Sequence, residues 1–188
     1  MNSQFSKSKS ILAYSLLVTA LMVSLLAMPA LARPSALSGT KTICPSGCNY
    51  ATLTAAIADI GVQGGLDGAL VLELQSTYVS TSETFPITFG AFTGSSAANT
   101  VTVRPAADAT GLTISGSNAG ATVELNGATY VILDGRPGGA GAAKELTVEN
   151  TNTGGQAVKF VDGASYNTLQ YLIVKGVNTS TTNGVIWF

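Results

Sequence analysis

Leu112-Thr113-Ile114-Ser115-Gly116-Ser117-Asn118, Leu146-Thr147-Val148-Glu149-Asn150-Thr151-Asn152 and Leu172-Ile173-Val174-Lys175-Gly176-Val177-Asn178 are three versions of one segment. Leucine opens each copy, an aliphatic residue stands two positions on, and asparagine closes it in the same register. Apolar residues at a period of two mark a strand with one buried face. A second alternating segment follows every copy: Ala121-Thr122-Val123-Glu124-Leu125, then Ala157-Val158-Lys159-Phe160, then Gly184-Val185-Ile186-Trp187. Asn126-Gly127-Ala128 is echoed by Asp162-Gly163-Ala164, and a third strand closes the first two copies around Tyr130 to Leu133 and Thr168 to Tyr171.

The spacing between copies says how the chain is organised. Leu146 to Leu172 is 26 positions and Leu112 to Leu146 is 34, a difference that fits a loop inserted over Arg136 to Lys144. Three short strands in so little chain cannot bury a core alone, so each copy must stack on the next. The expectation is an all-β parallel β-helix, a solenoid, over residues 69–188. Turns stacked in register lie about 4.8 Å apart, so equivalent side chains form columns. Leu112, Leu146 and Leu172 would make one interior column, and Ile114, Val148 and Val174 another. Asn118, Asn152 and Asn178 would line a bend and hydrogen-bond along their column. On the outside Glu149 would meet Lys175 and Glu124 would meet Lys159, pairs worth at most about 1 kcal/mol each that chiefly avoid stacking like charges.

Upstream of the repeats, residues 33–68 read as an N-terminal cap. Thr40 to Ile43 can form a strand, and Leu53, Ala56, Ile57 and Ile60 fall on one face of a short helix with Gly61 beyond. Gly64 to Gly68 breaks the chain before the β-rich Ala69 to Leu74. Pro86 and the Gly/Ser/Ala stretch from Gly90 to Ala98 read as an irregular loop before the Val101-Thr102-Val103 strand. Cys44 and Cys48, the only cysteines, enclose a short loop that a disulfide would close, with roughly 2 kcal/mol of chain-entropy stabilisation. A metal site would need four ligands, and there is no histidine or further cysteine to complete one.

Residues 1–32 read as a signal peptide. Lys7 and Lys9 precede an apolar run from Ile11 to Ala27, and Ala30-Leu31-Ala32 supplies a small-x-small pattern that puts cleavage between Ala32 and Arg33. The rival, an uncleaved anchor, has to contend with Ser15, Thr19 and Ser24 inside a run shorter than the roughly 20 residues of a span. An exported, extracellular or cell-surface protein is expected. Nine basic and ten acidic residues nearly cancel in a chain that is 10% charged, which leaves no electrostatic footprint for nucleic acid or an anionic membrane.

With these segments in place the chain resembles the pectin-lyase-like superfamily of right-handed parallel β-helices. Cys48-Asn49-Tyr50-Ala51-Thr52-Leu53-Thr54-Ala55-Ala56-Ile57 is similar to the segment with which many members enter their N-terminal capping helix. Phe85-Pro86-Ile87, Val101 to Ala107, Glu124 to Gly135 and Leu146 to Asn152 are similar to the opening of large Bacteroidota-type secreted and cell-surface β-helix proteins. The resemblance implies further coils and domains of the same polypeptide, with Phe188 falling in mid-coil. It implies an adhesive or structural scaffold that contacts glycans or other surface proteins. Its alternative is the non-catalytic N-terminal part of a polysaccharide lyase, hydrolase or pectinesterase-like enzyme.

None of that superfamily's catalytic sets can be placed on this chain residue by residue, and no catalytic, cofactor or metal residue is assigned. Asp134 and Arg136 are the nearest groove candidates, because a carboxylate and a guanidinium there would flank the inserted loop. The competing reading is that Asp134-Gly135 forms a turn, as Asp162-Gly163 does. Tyr130, Tyr166, Tyr171 and Trp187 could offer sugar-stacking faces, although aromatic residues in strand registers more often fill cores or cap stacks. Gly135 to Gly141 lacks the following Lys-Ser/Thr of a phosphate cradle, and Asn178-Thr179-Ser180 is a glycosylation pattern whose asparagine already has a place in the column.

Overall fold

The computed structural model describes residues 35–188. The signal-peptide helix expected for residues 1–32 and the cleavage point between Ala32 and Arg33 lie outside the described residues.

Twelve strands run through this region. They are β1 (Leu37–Ile43), β2 (Leu66–Leu74), β3 (Ile87–Phe89), β4 (Val101–Pro105), β5 (Leu112–Gly116), β6 (Ala121–Asn126), β7 (Val131–Asp134), β8 (Leu146–Asn150), β9 (Gln156–Val161), β10 (Thr168–Gln170), β11 (Ile173–Gly176) and β12 (Ile186–Trp187). One α-helix, α1 (Leu53–Val62), lies between β1 and β2. Its first turn is capped by Thr52, whose hydroxyl accepts the Ala55 N–H at 3.0 Å, and Leu53, Ala56, Ile57 and Ile60 are its buried residues. Gly61 belongs to the last turn, and the cap falls at Gln63. No helix among the described residues is long and apolar enough to cross a membrane.

The strands form three open, all-parallel sheets, with no closed barrel. One has the order β1-β2-β4-β7-β10, the second β11-β8-β5 and the third β12-β9-β6-β3. From β4 onward consecutive strands visit the three sheets in fixed rotation, and from β6 onward each strand pairs with the one three before it. The register is the one the repeats imply. Leu112 lies opposite Leu146, Ile114 opposite Val148, and Val148 opposite Val174. Leu112, Ile114, Leu146 and Val148 are buried in one continuous core with Leu70, Leu72, Val101, Val103, Val123, Leu125, Val131 and Leu133. Leu172 and Val174 pack against that core and are partly buried.

Two differences from the sequence reading have simple causes. Pro86 does not open an irregular loop: Ile87–Phe89 is β3, pairing with Val123–Leu125, because a proline before the first paired residue removes no donor from the ladder. Strands β1 and β2 each begin earlier than expected, at Leu37 and Leu66, since Gly39 and Gly68 are accommodated inside paired segments. The Asn126/Asp162 echo also hides an irregularity. Asn126 pairs with Val161 but Thr129 pairs with Ser165, so one extra residue enters at Asp162, which adopts a left-handed φ of 54°.

Candidate functional site

Asp134 ends β7, and Arg136 opens the inserted loop two residues on. The pair is closed on itself. Arg136 Nε donates to both carboxylate oxygens of Asp134 (2.9 and 3.1 Å), Arg136 Nη2 to Oδ2 (2.7 Å), and the Arg136 backbone N–H to Oδ1 (3.0 Å). Gln170 on β10 adds its amide to Oδ2 at 3.0 Å, and the guanidinium lies 4.6 Å from the centre of the Tyr171 ring. Asp134 is buried, its side chain only 4% exposed. Burial alone would raise its pKa, but the Arg136 side-chain and backbone hydrogen bonds, the Arg136 charge and the Gln170 amide together hold it below the usual carboxylate value. A carboxylate offers about four lone-pair directions, and here all are engaged. The acceptor positions of the carboxylate are thus taken up by Arg136 and Gln170, an arrangement that anchors the base of the inserted loop.

Asn118 and Asn152 sit at bends and Asn178 lies just past the end of β11, but the side chain that bridges successive turns is a different one. Asn152 and Asn178 each accept a backbone N–H two residues on, from Gly154 (2.9 Å) and Ser180 (2.7 Å). Asn178 also donates to the Gly155 carbonyl at 3.0 Å. The amide that reaches Asn118 belongs to Asn150. Its Nδ2 lies within 3.2 Å of the Asn118 carbonyl, the Asn118 side-chain oxygen and the carbonyls of Gly120 and Gln156, and its Oδ1 accepts from the Asn152 N–H. Asn150 is buried at the inner end of β8, with Gly116 and Gly176 opposite it on the flanking strands. Its bonds run mostly to backbone carbonyls, so no side-chain amide ladder joins Asn118, Asn152 and Asn178.

Cys44 and Cys48 are joined by a disulfide, with Cα atoms 5.5 Å apart. Glu124 and Lys159 are paired at 3.4 Å. Lys175 lies opposite Glu149, but Glu149 Oε1 accepts the Ser115 hydroxyl at 2.7 Å from the other side. The aromatic candidates divide. Tyr130 and Tyr166, both with left-handed backbone, stack at 5.1 Å and 7°, so one ring covers a face of the other. Trp187 takes Lys159 over its ring at 5.1 Å and, with Phe160, Asp162 and Phe188, lines an open cavity of about 430 Å³. Among the described residues no three His, Cys, Asp or Glu side chains come together.

Sequence reasoning missed a second buried carboxylate. Glu83 Oε1 accepts the Leu53 N–H (2.6 Å) and the Tyr78 hydroxyl (3.0 Å), while Oε2 accepts the Thr54 N–H (2.8 Å) and hydroxyl (2.6 Å). It thus caps α1 from a position that follows β2 in the chain. Burial first, and then the Glu83 charge, push the Tyr78 hydroxyl far above the ordinary tyrosine range. On the same helix Asp59 accepts the Tyr50 hydroxyl at 2.6 Å, and burial with that bond pushes Tyr50 up to about 12. No local motif marks Glu83 as a helix cap, because Leu53 and Thr54, whose N–H groups it accepts, lie 30 and 29 residues away in the chain.

No protein-family model, no curated protein and no solved structure matches this chain.

Proposed function

We propose that residues 69–188 are coils of a right-handed parallel β-helix of the pectin-lyase-like kind, and that the chain is the N-terminal part of an exported surface protein serving as an adhesive or structural scaffold. The observation that carries this reading is the fixed rotation of consecutive strands through three parallel sheets, with Leu146 over Leu112 and Val174 over Val148 over Ile114. A right-handed path is the one that parallel crossovers between right-twisted strands adopt. Export is supported by the Lys7/Lys9 start, the apolar run and the Ala30-Leu31-Ala32 pattern.

The scaffold is preferred to a polysaccharide-cleaving enzyme because the one acid–base pair flanking the inserted loop, Asp134 and Arg136, spends its hydrogen-bonding capacity on itself and on Gln170. Outward-facing strand residues, with other surface proteins or glycans as their partners, are the contact face in this reading.

The test is to express the full chain in an exporting bacterium, sequence the mature N terminus, and probe the purified product on a glycan array. An N terminus at Arg33 with saturable glycan binding is the expected result. Retention of Met1 in the cytoplasm would overturn the export reading. A properly exported protein inert to every glycan would reduce the function to scaffolding alone.

A further inference from the structure

Every arginine in the chain stands directly before a proline: Arg33-Pro34, Arg104-Pro105 and Arg136-Pro137. A serine protease that recognises a cation through an acidic pocket must expel the nitrogen that follows it, and proline, with its ring on that nitrogen and its φ fixed, obstructs the step. Such an enzyme is left with the lysines. Among residues 35–188 these are Lys41, Lys144, Lys159 and Lys175. Lys41 lies in β1 opposite Leu72, Lys159 in β9 between Glu124 and Trp187, and Lys175 in β11 opposite Glu149. A protease takes its substrate as an extended segment paired to its own backbone, so a residue already in a ladder must first leave it.

Lys144 is placed differently. It ends the exposed stretch 140–144, which belongs to no strand or helix, and from Gly141 to Lys144 no main-chain group bonds another among the described residues. The first turn of the loop leans toward β4, the side of the sheet away from β10: a Cβ on Gly138 would stand 3.2 Å from that of Ala107, and one on Gly139 would stand 2.7 Å from Arg104 Nη1. Exposed loops of small residues are where proteolytic nicking concentrates, and here glycine and alanine lead up to one lysine. Just beyond it the Glu145 N–H donates to the Gly135 carbonyl at 2.8 Å, so the base of the loop has to open before the bond is attacked. A cut there would not divide the molecule. The parallel ladders of β5 with β8, β6 with β9 and β7 with β10 all join residues before the bond to residues after it.

We propose that the bond between Lys144 and Glu145 is a processing site for a lysine-cleaving serine protease, and that the two pieces stay assembled after the cut. Water is the co-reactant: the C–N bond breaks, the Lys144 carbonyl becomes a carboxylate, and Glu145 gains a free α-ammonium. The experiment is brief trypsin treatment of the full chain with its disulfide intact, beside the variant Lys144→Gln and a urea-unfolded sample, with cut sites identified by mass spectrometry and the folded product run on a native sizing column. In the folded chain, cleavage after Lys144 should be at least about tenfold faster than after Lys41, Lys159 or Lys175, a preference that urea abolishes. The cut product should elute as one peak at the volume of the uncut chain, and Lys144→Gln should stay whole between residues 140 and 146. A folded chain left uncut after Lys144, or cut as fast after Lys41, Lys159 or Lys175, would overturn the site, and two separate peaks would overturn the assembly of the pieces.

Discussion

Replacing Glu83 by alanine tests whether a carboxylate thirty residues away holds the start of α1. Four donors converge on Glu83, and two of them, the Leu53 N–H and the Tyr78 hydroxyl, belong to residues at most 5% exposed, where water cannot easily substitute. An orphaned buried donor costs about 1–3 kcal/mol, and an anion at a helix N-terminus contributes about 0.3–2 kcal/mol through the helix dipole. The Thr54 N–H and hydroxyl are less buried and recover part of their loss from solvent. The sum, discounted for the non-additivity of contacts around one group, is about 4 kcal/mol, a large share of the roughly 5–15 kcal/mol that holds a domain together. At about 2–4 °C per kcal/mol for a domain of this size, the midpoint should fall by about 8–16 °C. The assay is urea unfolding followed by far-ultraviolet circular dichroism, with Thr52→Ala as the yardstick, since losing an ordinary N-cap costs about 1 kcal/mol. If Glu83→Ala costs no more than Thr52→Ala, with an unchanged denaturant slope, the Glu83 cap is not what holds the helix.

Substituting aspartate for Val148, which is fully buried between Ile114 and Val174, should destabilise the protein by about 3–5 kcal/mol because the new carboxylate has no partner; a near-neutral midpoint in the same urea assay would refute the inward register. Asp134 sets a pH dependence. Its folded pKa lies below 3.8, so its contribution is fully present above that value and is lost as pH falls through the folded pKa. The stability gap between wild type and Asp134→Asn should therefore narrow below about pH 4, and a gap constant from pH 6 to pH 2 would show that the carboxylate is not held ionised by folding.

Much of the architecture was legible because the chain repeats. The Leu112/Leu146 register and the Ile114, Val148, Val174 column follow from comparing the copies, and Leu53, Ala56, Ile57 and Ile60 follow from helical spacing. What escaped shares one physical feature: it depends on unlike residues meeting. Asn150 bridges to Asn118 from a position where the neighbouring copies carry Gly116 and Gly176, so a comparison that seeks identity passes over it and settles on the three matching asparagines. Glu83 lies outside the repeats altogether. Strand β3 was hidden by Pro86, whose usual meaning as a breaker does not apply just before a first paired residue. The Asp134–Arg136 pair was visible as a pair, but only the Gln170 and Tyr171 contacts from the following circuit show that its bonds are already spent.

This division between like and unlike contacts has a consequence for how the fold is specified. Leucine over leucine is favourable in any circuit, so a slip of one whole circuit would preserve the interior columns almost unchanged. Polar contacts do not survive such a slip, because a donor must face an acceptor and a cation an anion. Glu73 with Arg104, Asp134 with Gln170, Glu124 with Lys159 and Asn118 with Asn150 each join one particular strand or bend to one particular neighbour. Moving a strand by one circuit would set at least one buried group, Asp134 or Asn150, against a partner that cannot satisfy it, at a cost of about 1–3 kcal/mol for each orphaned bond. The apolar columns thus supply most of the stability and almost none of the order, and the correct sequence of strands rests on a handful of heterologous polar pairs placed at the ends and outer faces of the sheets.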